Sequence, residues 1–191
     1  FGNALSAVLD MRTRDRPQTR NYYVTAGLGA LSVGVDVPVP GDRFGVRLSG
    51  NRSLSGLMFR VNGESADFDQ VPTSLDGNLS LSYAYAPDAS LKLFSYAATD
   101  ELGVRTTDPS FTGIFRGEQT NRLHALYWTD FFGDWKTEAS ASYNRRTARQ
   151  QFGVLDLTPV NESYGARVDA ERAPIGGIAW SVGTEVQRVA Q

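Results

Sequence analysis

The chain has 191 residues, with 19 Lys and Arg against 21 Asp and Glu, one His and no Cys. This composition excludes disulfide scaffolds, cysteine nucleophiles and multi-histidine or thiolate metal sites, and the nearly balanced charge argues against nucleic acid as a partner. We therefore expect no cofactor and no bound metal. No stretch of the sequence reaches the roughly 20 apolar residues that a membrane helix requires.

After the first 20 residues, apolar and polar residues alternate with a period of two, which is typical of β-strands with two different faces. In the third segment, for example, Phe44, Val46 and Leu48 alternate with charged and small residues. The pattern predicts nine strands, at 22–28, 31–37, 43–49, 76–86, 90–98, 121–131, 135–145, 164–171 and 178–187.

The connections between these segments also alternate. Tight turns rich in Pro, Gly and Asp are predicted at 40–42, 87–89, 132–134 and 174–176, and long connections at 54–75, 99–120 and 146–162. In an antiparallel meander every second connection falls at the same edge, so the tight turns share one edge and the long loops the other. The prediction is an all-β, antiparallel up-and-down meander that forms part of a transmembrane β-barrel, about nine strands of a larger one.

Two other folds are compatible with parts of this pattern. A soluble β-sandwich also alternates, but its strands are usually only about 5 to 6 residues long. The tight turns recur with a spacing near the roughly 40 to 50 residues of a propeller blade, yet a blade contains four strands and the pattern gives two. Both alternatives therefore fit the sequence less well than the barrel.

The opening residues carry a second signal. Phe1-Gly2, Val8-Leu9-Asp10 and Thr13-Arg14 follow one another before the first barrel-like strand. In this order they resemble the end of the plug domain of TonB-dependent outer-membrane receptors, where an aromatic-Gly pair precedes a Val-Leu-Asp strand and a Thr-Arg pair. The resemblance implies that residues 1–20 are the C-terminal end of a plug domain with its linker, and that residues 21–191 are the N-terminal part of a transmembrane β-barrel.

The same resemblance implies the function. Such receptors have 22 strands, so we expect this chain to be a fragment, cut at both ends, of a receptor in the bacterial outer membrane. It would serve energised uptake of a scarce nutrient such as a siderophore-iron complex, a cobalamin or a glycan. Its partners would be outer-membrane lipid, the small nutrient ligand and, through the rest of the plug, the inner-membrane TonB complex that supplies energy.

Two other functions remain open at this stage. One is a small self-contained outer-membrane barrel that acts as a porin or a structural anchor. The other is an outer-membrane hydrolase, which would need a Ser/His or carboxylate constellation at one rim. The sequence offers no such constellation, so we expect no enzymatic activity.

Two groups of side chains are candidates for contact with other molecules. Polar-face residues are predicted to face the barrel lumen, where they contact the plug, line a permeation path or simply pair with one another: Arg43, Arg47, His124, Lys136, Glu138, Arg167, Asp169, Glu171 and Glu185. Apolar residues of the long loops are candidates for an extracellular ligand site: Met58, Phe59, Phe111, Phe115 and Phe152. For the second group, packing of the loops on one another is the favoured interpretation, because ligand pockets need converging polar groups.

Aromatic residues on the apolar face predict a membrane-interface girdle. They are Tyr22, Tyr83, Tyr85, Tyr127, Trp135, Tyr143, Tyr164 and Trp180.

Overall fold

The computed structural model of the chain describes residues 16–41, 43–63, 68–108, 111–175 and 178–190. This part of the chain contains ten β-strands and one short helix. In chain order they are β1 (Asn21–Ala26), β2 (Ala30–Pro38), β3 (Phe44–Ser53), α1 (Ser55–Asn62), β4 (Phe68–Ala86), β5 (Ala89–Asp108), β6 (Phe111–Phe132), β7 (Trp135–Phe152), β8 (Leu155–Leu157), β9 (Val160–Ile175) and β10 (Ile178–Ala190).

All strands belong to one antiparallel sheet whose order follows the chain. The path runs from β1 through β7 to β9 and β10, while the three-residue strand β8 pairs only with β7. The predicted antiparallel meander is confirmed, and the nine strands of the path match the nine predicted segments. The sheet is open: β1 and β10 are its two ends and, within the described ranges, they do not pair with each other.

The tight turns lie at one edge of the sheet, which we call the turn edge. At this edge β2, β4, β6 and β9 end and β3, β5, β7 and β10 begin. Gly133 has a φ of 62°, in the left-handed region that glycine adopts without steric cost, so β6 and β7 are joined by only two residues. At the opposite edge, which we call the far edge, β1, β3, β5 and β7 end and β2, β4, β6 and β9 begin.

The strands are much longer than the alternating segments. β4, β5 and β6 have 19, 20 and 22 residues. The prediction of long loops at 99–120 and 146–162 is wrong for most of their length, because the ladder between β5 and β6 continues in register as far as the pair Asp108 and Phe111. These stretches carry polar residues on both faces, so they have no hydrophobic alternation, and only pairing with the neighbouring strand reveals them as β-structure.

The remaining predicted loop, which is the first in the chain, at 54–75, contains the helix and the start of β4. α1 has eight residues, none of them buried, and ends at Gly63, whose φ of 75° lets its N–H bond to the carbonyl of Phe59. Phe59 packs on Phe68 at the start of β4, with ring centroids 4.8 Å apart. No helix in the described part of the chain is long and apolar enough to cross a membrane.

Residues directly opposite each other on paired strands lie on the same face, so the registers assign every strand residue to a face. The apolar face includes Val35, Leu48, Leu81, Leu93, Leu126, Ala139, Val168 and Val182. The polar face includes Asp36, Arg47, Asn78, Tyr96, Asn121, Arg146, Arg167 and Glu185. Leu126 is 42% exposed and Val168 45%, so the apolar face is largely uncovered. An apolar surface of this extent marks a contact with something other than water.

In β6 the sequence assigns the two faces the wrong way round. Tyr127 was predicted on the apolar face as part of the aromatic girdle, but the register places it opposite Lys92 on the polar face. Leu126 lies opposite Leu93, so it belongs to the apolar face. The alternation misleads here because the turn-edge part of β6 carries large apolar residues on both faces.

Candidate functional site: the polar face of the sheet

Charged residues on the polar face form ion pairs between and along the strands. Arg47 Nη1 lies 3.2 Å from Asp36 Oδ2, on the neighbouring strand. Arg167 Nη2 donates to Asp169 Oδ1 at 2.9 Å, and its Nη1 lies 3.9 Å from Glu185 Oε2 on β10. All of these residues except Asp36 were predicted to face the lumen, and the structure places the five in two clusters, one on β2 and β3 and the other on β9 and β10.

The remaining charged candidates lie near the turn edge. Lys136 Nζ is 2.9 Å from Glu138 Oε1, and Glu171 is the cross-strand neighbour of Lys136. Arg43 is exposed in the turn just before β3. Acidic and basic residues alternate here, so their charges are paired with one another on the polar face.

Hydrogen bonds between polar side chains continue this pattern toward the far edge. Asn51 donates to Asp76 at 2.7 Å, and Asn144 donates to Asn121 at 2.8 Å. Arg146 Nη2 donates to Gln119 Oε1 at 2.6 Å. None of these residues was among the predicted candidates, although their spacing of two from the other polar residues of their strands would have placed most of them on the same face.

A hollow of about 540 Å³ opens on the polar face between β1 and β5. Its lining residues include Tyr23, Asp36, Arg47, Asn78, Ser80 and Phe94. Ser80 is only 5% exposed, and its Oγ and the Nε of Arg47 are buried without a hydrogen-bond partner among the described residues. Buried polar groups are normally paired, so these two atoms mark a place where another polar group fits.

The chain before β1 crosses this same face. Pro17 is buried, and it lies with Arg16 against Gly45 of β3. A Cβ added at Gly45 would come within 2.7 Å of Pro17 Cδ, so only glycine permits this close approach. The linker therefore reaches β1 from the polar side of the sheet. Residues 1–15, which carry most of the resemblance to a plug domain, lie outside the described residues.

His124 lies on the apolar face, so its predicted position among the lumen-facing residues is wrong. Its Nδ1 is 2.9 Å from Ser95 Oγ, and its ring lies parallel to that of Tyr143 with centroids 6.4 Å apart. The error follows from the reversed faces of β6. No acidic or nucleophilic triad forms around the ring, and the described residues contain no group of three His, Asp or Glu that could hold a metal ion.

The four apolar ligand-site candidates whose side chains are described do not form one cluster. Met58 and Phe59 are in α1, whereas Phe115 and Phe152 belong to β6 and β7 rather than to loops and pack on each other with centroids 4.5 Å apart. Phe111 begins β6, and its side chain lies outside the described residues. The aromatic residues contact one another in pairs, as packing between neighbouring segments requires.

A second hollow, of about 380 Å³, lies on the polar face near the far edge beside Phe115. Serines from β3 and β4, Asp100, Gln119 and Gln150 supply polar groups around it. Ser55, at the start of α1, donates to the carbonyl of Pro72 and so holds the helix over this end of the sheet. Of the predicted ligand residues whose side chains the structure describes, only Phe115 lines this hollow.

Aromatic clusters border the apolar face at two levels. Near the turn edge, Trp128 Nε1 donates to Tyr85 OH at 2.7 Å, and Tyr85 OH donates to Asp130 at 2.8 Å. Toward the far edge, Tyr143 and Tyr164 lie 5.0 Å apart, and both hydroxyls donate to Glu162. The apolar bodies of these rings lie on the apolar face, and their hydroxyls are hydrogen-bonded. This arrangement is typical of a boundary between apolar and aqueous surroundings.

Comparison with models of protein families, with curated proteins and with solved structures finds no match for this chain.

Proposed function

We propose that this chain forms part of the barrel wall of a TonB-dependent receptor in the bacterial outer membrane, which takes up a scarce nutrient. The observation that carries the proposal is the sheet with two different faces, one apolar and uncovered, the other polar and internally hydrogen-bonded. A wall of this kind separates lipid from an aqueous lumen. The apolar face lies against lipid, and the polar face lines the lumen.

The spacing of the two aromatic borders supports this orientation. Along β7, Trp135 and Tyr143 are eight residues apart and lie on the same face. Eight residues at about 3.4 Å each span roughly 27 Å of strand, and a strand tilt of about 35 to 45° reduces this to roughly 20 Å across the membrane. The apolar bands of outer-membrane barrels are about 25 Å tall, so the two borders fit the two interfaces of one membrane.

The position of the linker supports the choice of a plugged receptor. Pro17 and Arg16 approach β1 across the polar face, the direction from which a domain inside the lumen would connect. The hollow with Ser80 Oγ and Arg47 Nε, which have no hydrogen-bond partner among the described residues, lies on the same face and offers polar contacts to such a domain.

The free edges argue against the alternative of a small self-contained barrel. Such a barrel would have to close by pairing β1 with β10. On a path of nine antiparallel strands these two run in the same direction, and bacterial single-chain barrels avoid this parallel closure by using even strand numbers. Unpaired edges in hydrocarbon cost several kcal/mol for each backbone group. The proposal therefore adds further strands of the same protein to both β1 and β10.

The nutrient is a siderophore-iron complex, a cobalamin or a glycan. In this proposal it binds where the long strands project beyond the membrane at the far edge, near the hollow beside Phe115. The plug couples its release to the inner-membrane TonB complex. The barrel wall itself performs no covalent chemistry.

Uptake by the native host tests the proposal. The gene is deleted, and accumulation of radiolabelled siderophore-iron, cobalamin and glycan is measured with and without the inner-membrane energy source. We expect one class of nutrient to lose most of its uptake in the deletion strain and in the de-energised wild type. Undiminished uptake of all three would contradict the receptor assignment. If the purified full-length protein instead formed open channels in planar bilayers, the porin alternative would replace it.

A further inference from the structure

Three arginines lie on the apolar face at its far-edge border. Arg122 on β6 is the cross-strand neighbour of Arg145 on β7, and Arg188 on β10 is the neighbour of Tyr164. Toward the turn edge, the row of Arg122 and Arg145 is followed by a row that holds Arg188 together with the rings of His124, Tyr143 and Tyr164. The row after that is apolar and contains Leu93, Leu126, Ala141, Ala166 and Val186. The arginines thus stand where the apolar band ends.

Among the described residues, a single carboxylate lies beside the three guanidinium groups of this patch. Like charges directly opposite each other on paired strands are destabilising, and Arg122 faces Arg145 in this way. The nearest carboxylate, Glu162, lies 3.6 Å from Arg145 Nε and also accepts hydrogen bonds from Tyr143 and Tyr164. In the described part of the chain no carboxylate pairs with Arg122 or Arg188, and both are exposed.

We propose that this arginine patch, formed by Arg122, Arg145 and Arg188, binds the phosphate groups of an anionic lipid in the surrounding membrane leaflet. The inference rests on the proposed function, because it needs the apolar face to lie against lipid. Guanidinium groups bind phosphate through two parallel hydrogen bonds, and two arginines side by side offer two such forks to one headgroup.

The position of the patch selects a lipid rather than a free anion. A phosphate held between Arg122 and Arg145 leaves the acyl chains of its lipid to run along Leu126 and Ala141, toward the turn edge. The rings of His124 and Tyr143 lie between the phosphate level and the acyl-chain level, where aromatic residues favour the membrane interface. Only a molecule with both a phosphate and an apolar tail fills both parts of this surface.

Native mass spectrometry of the full-length protein in detergent tests the inference. The probe is lipid A with both of its phosphates, compared with dephosphorylated lipid A of the same acyl chains. For the wild type we expect binding of the phosphorylated lipid that millimolar inorganic phosphate does not displace. The double variant R122Q/R145Q should bind it at least about tenfold more weakly, since it loses the charge-assisted hydrogen bonds. The variant R122K/R145K, which keeps the charges, should retain part of the binding.

A matched control is the next residue along β7. Arg146 lies on the polar face, where it donates to Gln119, so R146Q should bind the lipid as tightly as the wild type. Equal binding of phosphorylated and dephosphorylated lipid, or equal weakening by R146Q and R122Q/R145Q, would overturn the inference. Displacement by inorganic phosphate alone would show a general anion site instead of a lipid site. Nutrient uptake by cells separates the two proposals. If cells carrying R122Q/R145Q retain uptake although the variant has lost lipid binding, the receptor function stands independently of the lipid site. If cells carrying the wild type show no uptake, the receptor function is removed.

Discussion

Each long strand has two halves, one near the turn edge and one near the far edge. The halves differ in amino-acid composition, but both are paired β-strand. Between the turn edge and the row of Tyr143, apolar and polar residues alternate, so the sheet has two different faces. Beyond that row the strands continue with the same hydrogen-bonded registers, but Arg145, Thr147 and Arg149 occupy the positions that would have carried the apolar face. Pairing with a neighbouring strand thus maintains the β-structure throughout, while the composition of each face follows what surrounds it.

The two halves also differ in what holds them together. The turn-edge half has large exposed apolar side chains, such as Leu126 and Val168. The stability of this half therefore depends on an apolar environment. The far half depends on polar contacts between side chains, such as the bond from Arg116 Nε to Asp69 at 2.9 Å. In the proposed function this change marks the level at which the strands leave the membrane.

The largest expected effect comes from a charge placed in the apolar band. The substitution Val168→Arg puts a guanidinium near mid-band on the apolar face and should destabilise the protein by about 2 to 4 kcal/mol, the cost of Arg near the centre of a bilayer. The measurement is the free energy of unfolding in urea of the full-length protein in lipid vesicles, followed by tryptophan fluorescence.

Two controls separate the faces and the halves. Ser181→Arg lies in the same half on the polar face, opposite Glu171, and Thr120→Arg lies on the same face as Val168 but in the far half. Both should change the free energy of unfolding by less than about 0.5 kcal/mol, as surface substitutions usually do. If all three variants lost the same stability, the division into two faces and two halves would be wrong.

A smaller effect is expected from the aromatic border near the turn edge. Tyr85→Phe leaves Trp128 Nε1 and Asp130 without the hydroxyl that joins them, and it should cost about 1 kcal/mol. Tyr164→Phe at the other border removes only a hydroxyl that donates to Glu162 at 3.2 Å. Because Tyr164 is 46% exposed, the cost of this substitution should be lower. Unfolding free energies in the same vesicles compare the two, and a larger loss for Tyr164→Phe would show that the far border is the more tightly bonded one.

The smallest expected effect concerns the β7–β8 hairpin at the far edge. Arg149 Nη2 donates to Asp156 Oδ2 at 2.6 Å, and this hydrogen bond holds the pKa of Asp156 below its ordinary range. A lowered pKa means that the open hairpin binds the proton more readily than the closed one. The stabilisation is therefore present above the ordinary carboxyl pKa of about 4 and is lost as the pH falls through the lowered value.

Hydrogen exchange of the amides of residues 155–157 follows this change. After correction for the intrinsic pH dependence of exchange, protection in the wild type should fall as the solution becomes more acidic than about pH 4. In the Arg149→Gln variant, protection should already be low at neutral pH and should change little on acidification. The ladder between β6 and β7 near the turn edge is the internal reference, and a parallel loss of its protection would mean that acid unfolds the whole sheet.

The sequence alone determined the alternating part of the nine strands on the path of the sheet and their meander order, because a period of two and glycine- or proline-rich turns are local properties that need no knowledge of the neighbouring strands. It also placed Arg47, Arg167 and Glu185 on one face, since each strand there has a clear polar side. The tertiary structure decided the full length of the strands and the face on which several residues lie, which local alternation cannot predict. Only the registers extended the strands through 99–120 and 146–162, where both faces are polar, and only they moved His124 to the apolar face and set Arg122 beside Arg145. The physical reason is that a face belongs to the whole sheet: it is fixed by the neighbours to which a strand is hydrogen-bonded, not by the residues of that strand alone.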